Sequence, residues 1–476
     1  MEPAPFSSRL PWTNVLLTGS TGFVGSFLLR GLLDHTDAVI YCVSRGDSDR
    51  AVEARIRTAF DGYGLGLADP DRIRPIAGDL TRPELGMPEA VFDDLADRID
   101  AVVHAGAQVN LVMPAERLAA ANVSGTREVL RMAQRRGAAT HLISTVEVFG
   151  PGAGVVDEKT AATGCFAPRS GYGRTKHAAE AAAWQAASRG LPVTVHRLDR
   201  VSGDSRSGVA QPGADDLWQL LRASLAVGML PDTPLPISLT PVDFAASAVL
   251  ALASTEAAAG STFHLSHPNP VRVAELAEAL RRGGWPVELV PSDHWHAALQ
   301  ELGSRPGGDP MPRLLSSMAD RIWGGTPQIS TPHTTAALAR TGLRYPPVGA
   351  ELLDRYLRQL RATGFLPAPA PSRHPAPMES PALETGAGGP DIDVVAPLLA
   401  AFTEVIGVPP VNGLATRPEQ VEQWDSLSHV WLFTKVESVF GCKLPAELML
   451  IGPELGAFAD AVAQVPAGEP RPTPVA

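Results

Sequence analysis

From Asn14 onward the chain reads as an α/β protein, a doubly wound parallel sheet covered by helices on both faces, on three grounds. Short β-rich runs alternate with longer stretches of helical periodicity, the pattern of repeated βαβ units. Those runs are apolar nearly throughout, as strands buried on both faces must be. Three glycines, Gly19, Gly22 and Gly25, follow the first run and open the first helical stretch, which is where such folds cradle phosphates.

In order, "NVLLTG" is followed by the helical "FVGSFLLRGLLDH", and "AVIYCVSR" by "DRAVEARIRTAF". Next come "IRPIAGDL", then "DAVVHAGA" with the long helical "AERLAAANVSGTREVLRMAQRRG". The strand-like "THLISTVEVFG", a helix starting near Gly171 and "PVTVHRLDRVSG" complete a dinucleotide-binding core expected over about 12–203. Residues 204–366 are less regular, with helical patches such as "DDLWQLLRASLAVGML" and "RVAELAEALRRGG", and are expected to form a smaller substrate-side lobe. Then the composition breaks. Pro367 to Pro390 holds seven prolines in 24 residues and almost no large apolar side chain. Such a segment buries no core and is expected to be an extended, semi-rigid linker. Helical periodicity returns over 391–466, followed by a second Pro-rich stretch.

A chain of 476 residues with 45% apolar residues has room for two to four packed domains. A net charge of −11 and the lack of any basic run argue against nucleic-acid binding. "MEPAPFSSRLPW" lacks the apolar segment of a signal peptide, and stretches such as "AASAVLALAS" fall short of the roughly 20 residues a bilayer span needs. Cys42, Cys165 and Cys442 are too few and too scattered for a disulfide framework. A cytoplasmic protein without membrane contact is expected.

The glycine turn runs "TGSTGFVG", so Gly19, Ser20, Thr21, Gly22, Phe23, Val24 and Gly25 are the candidate pyrophosphate contacts. The second strand ends in "CVSRG", with Arg45 where an NAD enzyme usually carries a carboxylate and Arg55 one helix further on. Arginine suits a ribose 2′-phosphate by charge and by its two-pronged geometry. NADPH is therefore the expected cofactor.

"GYGRTKHAAE" supplies the chemistry. The chain has 40 basic residues, of which only four are lysines, yet one of these, Lys176, stands four residues after one of five tyrosines, Tyr172. On a helix the two lie on one face, and an ammonium beside a phenol is expected to lower its pKa and make it a proton donor. Thr145, in "LISTVEVFG", falls at the end of the fifth strand, with Ser144 the competing hydroxyl. A strand-end hydroxyl, a Tyr and a Lys four later resemble the catalytic trio of extended short-chain dehydrogenases/reductases on a Rossmann-type fold. "VVHAGAQVNLVMPAERLAAANVSGT", "SGYGRTKHAAE", "RLDRVSG", "TPVDFAASAVLALA" and "FHLSHPNPVRVAELAEALRRGGWPVELVPSDHWHAAL" are more narrowly similar to thioester reductase domains, which end nonribosomal peptide and polyketide assembly lines and carboxylic acid reductases. The resemblance runs from about Asn14 to Pro367, and departs at Leu198 and Asp199, where the family commonly has Pro and Gly.

That resemblance implies that Lys176 holds the nicotinamide ribose while Thr145 and Tyr172 bond the carbonyl oxygen being reduced. It extends the cofactor site to Asp79, Leu80, Ala105, Gly106, Ala107 and Asn122. It also implies hydride transfer to a thioester and collapse of the hemithioacetal to an aldehyde, or onward reduction to an alcohol. A covalent route through Cys165 has no activating His or Lys in any motif beside it, and a thioester needs none. "DHWH" (Asp293 to His296) and "HLSH" (His264, His267) lack zinc-site spacing and are expected to be structural, with no metal.

"QWDSLSHVWLFTKVESVFGCKLP" places Ser426 at the head of an amphipathic helix. With "VVAPLLAAFTEVIG" before it and "AELMLIG" and "LGAFADAVAQV" after, it resembles a four-helix acyl or peptidyl carrier protein, whose serine bears 4′-phosphopantetheine. Glu437, Glu447 and Glu454 fit a module that docks on basic partners, and equally a solvated face. The partners implied are an upstream acyl-activating or synthetase enzyme, a phosphopantetheinyl transferase and, since the carrier follows the reductase, a carrier in trans. A ketoreductase or epimerase acting on a carrier-bound chain and an inactive docking scaffold stay open as alternatives.

Overall fold

The computed structural model describes residues 9–369 and 394–463, apart from positions 68, 111–112, 151–152, 214, 256–257, 305–311, 313–314, 317–326, 422–423, 425, 441, 443, 445–447 and 449–453. Seven strands form the central sheet: β1 (Asn14–Thr18), β2 (Val39–Ser44), β3 (Ile73–Ala77), β4 (Ala101–His104), β5 (Ala139–Thr145), β6 (Val193–Leu198) and β7 (Thr262–Leu265). Their spatial order is 7-6-5-4-1-2-3, and every neighbouring pair is parallel. The order reverses between β1 and β4, so the crevice beyond the carboxyl ends of these strands is the ligand position of a doubly wound sheet.

Burial on both faces explains the apolar strands. On one face α1 (Phe23–His35), α2 (Asp49–Tyr63) and the helix Val242–Ala253 bring Phe27, Leu28, Leu32, Ile56, Phe60, Val249 and Leu250 onto Val15, Leu17, Ile40 and Val103. On the other, α3 (Glu89–Ala96), α5 (Gly125–Gln134) and α6 (Gly171–Ala187) pack Phe92, Leu130, Met132, Ala183 and Ala186 onto Leu16, Val102, Leu142 and Val195. A short α4 (Ala115–Ala119) reaches α5 through a π-helical turn at Ala120–Ser124, the kind of register slip that re-aims a side chain inside a helix.

The six strands expected from sequence are present, but the core does not end near residue 203. The seventh strand comes from 262–265, inside the stretch expected to be a substrate-side lobe, and Val242–Ala253 also covers the sheet. "TFHL" is too short, and too interrupted by its histidine, to announce a buried strand. The chain divides into one compact unit of Met1–Gln211, Leu235–Arg272 and Trp323–Gln359 and a second of Pro212–Pro234, Val273–Ile322 and Leu360–Ala476.

In the second unit, Met229–Pro231 pairs in parallel with Glu288–Val290, and the buried Trp295 donates from Nε1 to Ser224 Oγ at 3.1 Å. Toward the C-terminus, helices Val395–Ile406, Ser426–Phe440 and Leu455–Ala463 gather Leu398, Phe402, Trp424, Leu432, Val436 and Phe458 into a hydrophobic cluster. Most of the proline-rich segment, the Asp425 side chain, the expected third carrier helix and Glu447 lie outside the described residues. Glu437 accepts from the Leu444 N–H at 2.9 Å and Glu454 pairs with Arg417 at 3.1 Å. No helix among the described residues is long and apolar enough to cross a membrane.

Candidate active site

The nucleotide end of the crevice is built from close backbone approach. Gly19 has φ +75°, and a Cβ there would lie 2.7 Å from the Gly106 nitrogen, so the turns after β1 and β4 abut as only glycine permits. The Gly22 N–H closes that turn on Gly19 O at 3.0 Å. No side chain caps α1, which starts at Phe23, so its first N–H groups face outward as an anion cradle. Ser20 turns inward instead, its Oγ 3.1 Å from Ser44 Oγ and its residue fully buried. Only its backbone can serve a cofactor.

Arg55 on α2 reaches across the mouth of this turn. It donates to the Arg45 carbonyl oxygen and, at 3.3 Å, to Thr21 Oγ1. The guanidinium therefore bridges the glycine turn and the end of β2, where an adenosine ribose would rest. Arg55, one of the two arginines singled out from sequence, is anchored there by both contacts. These features fit a phosphorylated dinucleotide.

Asp79 is engaged within its own turn, accepting from Thr81 N at 2.8 Å and Thr81 Oγ1 at 2.7 Å. Leu80 packs so near the backbone that a Cβ on Gly106 would meet its Cδ1 at 2.9 Å. Behind Ala105, Gly106 and Ala107, the Gly106 N–H donates to Thr18 Oγ1 at 3.0 Å. That hydroxyl donates in turn to His104 Nδ1 at 2.6 Å, and His104 Nε2 donates to Thr126 Oγ1 at 3.0 Å. Burial, helped by the nearby Lys176, drives the His104 pKa down to about 3, so this residue is a neutral structural link.

Asn122, expected among the cofactor contacts, sits in the π-helical turn and is spent on the protein. Its Oδ1 accepts from Gln108 N at 2.7 Å, and its Nδ2 donates to Gln108 O at 2.9 Å and Thr175 Oγ1 at 3.0 Å. It ties the loop after β4 to α6 from behind, with no donor left for a cofactor.

At the other end, Thr145 closes β5 half-buried and its Oγ1 accepts from the Glu147 N–H at 3.2 Å. Ser144, one residue earlier, points to the opposite side of the strand, as the period of two requires. There it donates to Glu180 Oε1 at 2.5 Å and is buried. The Ser144 hydroxyl is thus committed to Glu180, and the Thr145 hydroxyl is not. Ser170 caps α6 by accepting from Gly173 N at 2.9 Å. A Cβ on Gly173 would fall 2.3 Å from Glu147 O, so the first turn of α6, with Tyr172, lies directly against the loop that follows Thr145.

Lys176 is 3% exposed and its Nζ donates to Ile143 O at 2.6 Å. Burial lowers its pKa to about 8, and the Glu180 carboxylate opposes that shift. The expectation for Tyr172 is corrected in sign: its pKa is raised, by burial first and by Glu147 second. Desolvation of the phenolate and the Glu147 charge both disfavour the anion. The phenol stays protonated through the neutral range.

Sequence reasoning missed Glu180 and Arg197, a buried ion pair at 2.8 Å behind this end of the site; the one available signal was a Glu four residues after Lys176. Cys165 lies in the turn Gly164–Phe166, and its side chain is outside the described residues. The histidines of the two clusters are engaged separately: His264 Nε2 lies 3.2 Å from Arg197 Nη1, His267 bonds Pro346 O at 2.8 Å, and His296 bonds Ser316 Oγ at 2.9 Å.

Comparison with known proteins adds independent findings. The profile of an NAD-binding family described as male sterility protein matches residues 17–249. The crystal structure of the terminal R domain from the myxalamid PKS-NRPS biosynthetic pathway is 36% identical, with a TM-score of 0.71 over 76% of this chain and 94% of that one. An isonitrile lipopeptide synthase from Streptomyces coeruleorubidus is 37% identical over 76% of this chain. A glycine betaine reductase from Emericella nidulans is 36% identical over 75%. The chain spans only 25% and 29% of the length of those two proteins.

Proposed function

The chain belongs to the family of reductase (R) domains of nonribosomal peptide and polyketide synthases, and from that premise we propose that it reduces a carrier-tethered acyl or peptidyl thioester to an aldehyde with NADPH. The observation that carries this reading is Thr145 at the crevice end of β5 beside the first turns of α6, which hold Tyr172 and Lys176.

Gly19, Thr21, Gly22 and Gly25 would hold the pyrophosphate, Arg55 with Arg45 the ribose 2′-phosphate, and Lys176 the nicotinamide ribose. When bound, NADPH supplies the hydride. Thr145 and Tyr172 donate hydrogen bonds to the thioester oxygen and stabilise the charge that develops on it. Tyr172 delivers its proton to that oxygen, giving a hemithioacetal. The C–S bond then breaks as the hydroxyl proton passes to the sulfur, aldehyde and thiol leave, and Tyr172 regains its proton from solvent. One hydride and one proton enter per aldehyde and thiol formed.

Residues 391–466 are proposed to be a carrier domain with 4′-phosphopantetheine on Ser426. Support comes from the position of Ser426 at the head of a helix and from the hydrophobic cluster around Phe402, Trp424 and Phe458. An acyl-activating enzyme and a phosphopantetheinyl transferase are its proposed partners, and a reducing cytoplasm its setting.

Two experiments test these proposals. Purified protein is incubated with NADPH and a panel of acyl-pantetheine thioesters, and products are identified by mass spectrometry. Aldehyde with free thiol is expected; a hydroxyacyl chain still on its thioester would identify a ketoreductase instead. Separately, a phosphopantetheinyl transferase and coenzyme A should modify the native chain and not Ser426→Ala, while Ser426→Ala still reduces the soluble thioester. Modification of both, or of neither, would remove Ser426 from the proposal.

A further inference from the structure

Three consecutive residues at the end of β5 face three partners. The Ile143 carbonyl accepts from Lys176 Nζ at 2.6 Å, the Ser144 hydroxyl donates to Glu180 Oε1 at 2.5 Å, and the Thr145 hydroxyl accepts from the Glu147 N–H at 3.2 Å. Helix α6 is thereby bonded to the strand at two points one turn apart. Tyr172, Lys176 and Glu180 are spaced i, i+4, i+8, so they form one stripe along the helix.

Glu180 is gripped from β6 as well. Arg197 Nε lies 3.0 and 3.3 Å from its two oxygens, and Nη2 lies 2.8 Å from Oε2. The side chains of Arg197 and Glu180 are 7% and 3% exposed. The other edge of the guanidinium donates to His264 Nε2 on β7 at 3.2 Å, and its plane covers the Phe149 ring at 4.9 Å. A buried ion pair of this kind is a poor source of net stability, because desolvation offsets most of its attraction; fixing a register is its better-attested use.

Resting on the assignment of Thr145, Tyr172 and Lys176 above, we propose that Glu180, clamped by Ser144 and Arg197, is a positioning residue for the reduction: it sets α6 on β5 so that Tyr172 and Lys176 stand opposite Thr145. It has a second effect through its charge. Among the described residues, the charged and titratable groups that act on Lys176 or that it acts on are Glu180 on its own helix and the neutral His104 on β4, with Arg197 beyond Glu180. Glu180 is the group that favours the ammonium.

The test uses the full chain, an acyl-pantetheine substrate and NADPH oxidation, with kcat and the alkaline limb of the pH profile as readouts. Glu180→Gln should lower kcat about tenfold, the scale of a small misplacement of reacting groups, and move the alkaline limb to lower pH. Ser144→Ala, which keeps the ion pair, should lower kcat by a smaller factor without moving the limb. The double variant Glu180→Gln with Arg197→Met leaves no guanidinium stranded beside the lost carboxylate, and serves if the single variant does not fold. It should regain the native melting temperature and still show the shifted limb. A double variant with native kcat and native limb, or a folded Glu180→Gln with both unchanged, would overturn the proposal. Tyr172→Phe in the same assay separates the two levels: if it is inactive while Glu180→Gln is native, only the positioning role fails, and if it is active, the underlying assignment fails.

Discussion

The two ends of the crevice solve different problems with different materials. The nucleotide end is made of backbone: Gly19 at φ +75° against Gly106, the uncapped start of α1, and one long arginine, Arg55, lying over the turn. The chemical end is made of buried charge: Lys176 at 3% exposure with the Glu180–Arg197 pair behind it. A dinucleotide brings its own charges and needs space, N–H groups and a countercharge. A carbonyl acquires charge only during reaction, so its donors must be held in place beforehand, in a dry site. Damage to the first end should therefore fall on cofactor KM, and damage to the second on kcat.

The largest expected effect breaks the chemical end. Tyr172→Phe and Lys176→Ala should each lower kcat at least about 100-fold, the size of a lost general acid, with circular dichroism unchanged. A loss confined to the NADPH KM in steady-state kinetics would erase the contrast between the two ends. Next comes Arg55→Ala. It should raise the NADPH KM about tenfold or more, as loss of a charge-assisted contact does, with little effect on NADH or on kcat. Arg45→Ala should also weaken NADPH much more than NADH, and equal losses for both cofactors would show that neither arginine reads the phosphate.

A third, smaller effect is in pH. Lys176 holds its proton below about pH 8 and loses it above, while the Tyr172 pKa lies higher still. Reduction should therefore decline as pH rises through about 8, with an alkaline limb set by the lysine. A flat profile from pH 7 to 9.5 in a stopped-flow assay would contradict this.

The smallest effect on activity is one of stability. His141 on β5 and His196 on β6 lie 3.2 Å apart and buried. Burial lowers the His141 pKa to about 4 and that of His196 well below 6.5. The unfolded chain takes up these protons first, so stability present above pH 6.5 is lost as pH falls toward 4. For His141 alone the loss is about 3 kcal/mol at about 1.4 kcal/mol per pH unit. His141→Phe should flatten the fall in melting temperature over that range, and a parallel fall would place the acid sensitivity elsewhere.

What could be read from sequence was what local spacing determines. The glycine turn, the order of β1 to β6, and the Tyr172–Lys176 stripe each depend on residues within one strand or two helical turns. Thr145 over Ser144 rested on the family resemblance alone, because strand alternation puts the two hydroxyls on opposite sides without saying which one faces the crevice. What could not be read depends on tertiary neighbours. Asn122 looks like a cofactor contact until a π-helical turn spends it on Gln108 and Thr175. The Glu180–Arg197 pair joins a helix to the strand that follows it. The sign of the Tyr172 shift is set by burial, which no spacing between a phenol and an ammonium reveals. Strand β7 is four residues of ambiguous pattern, legible only once its neighbour β6 is in place.

The central claim is that the crevice reduces a thioester and releases its thiol. It is tested most directly by single-turnover NADPH oxidation on an acyl-pantetheine, with aldehyde and free thiol quantified in the same quench. One aldehyde and one thiol are expected for each NADPH consumed, both abolished in Tyr172→Phe. NADPH oxidised without thiol release, or turnover undiminished in Tyr172→Phe, would contradict it.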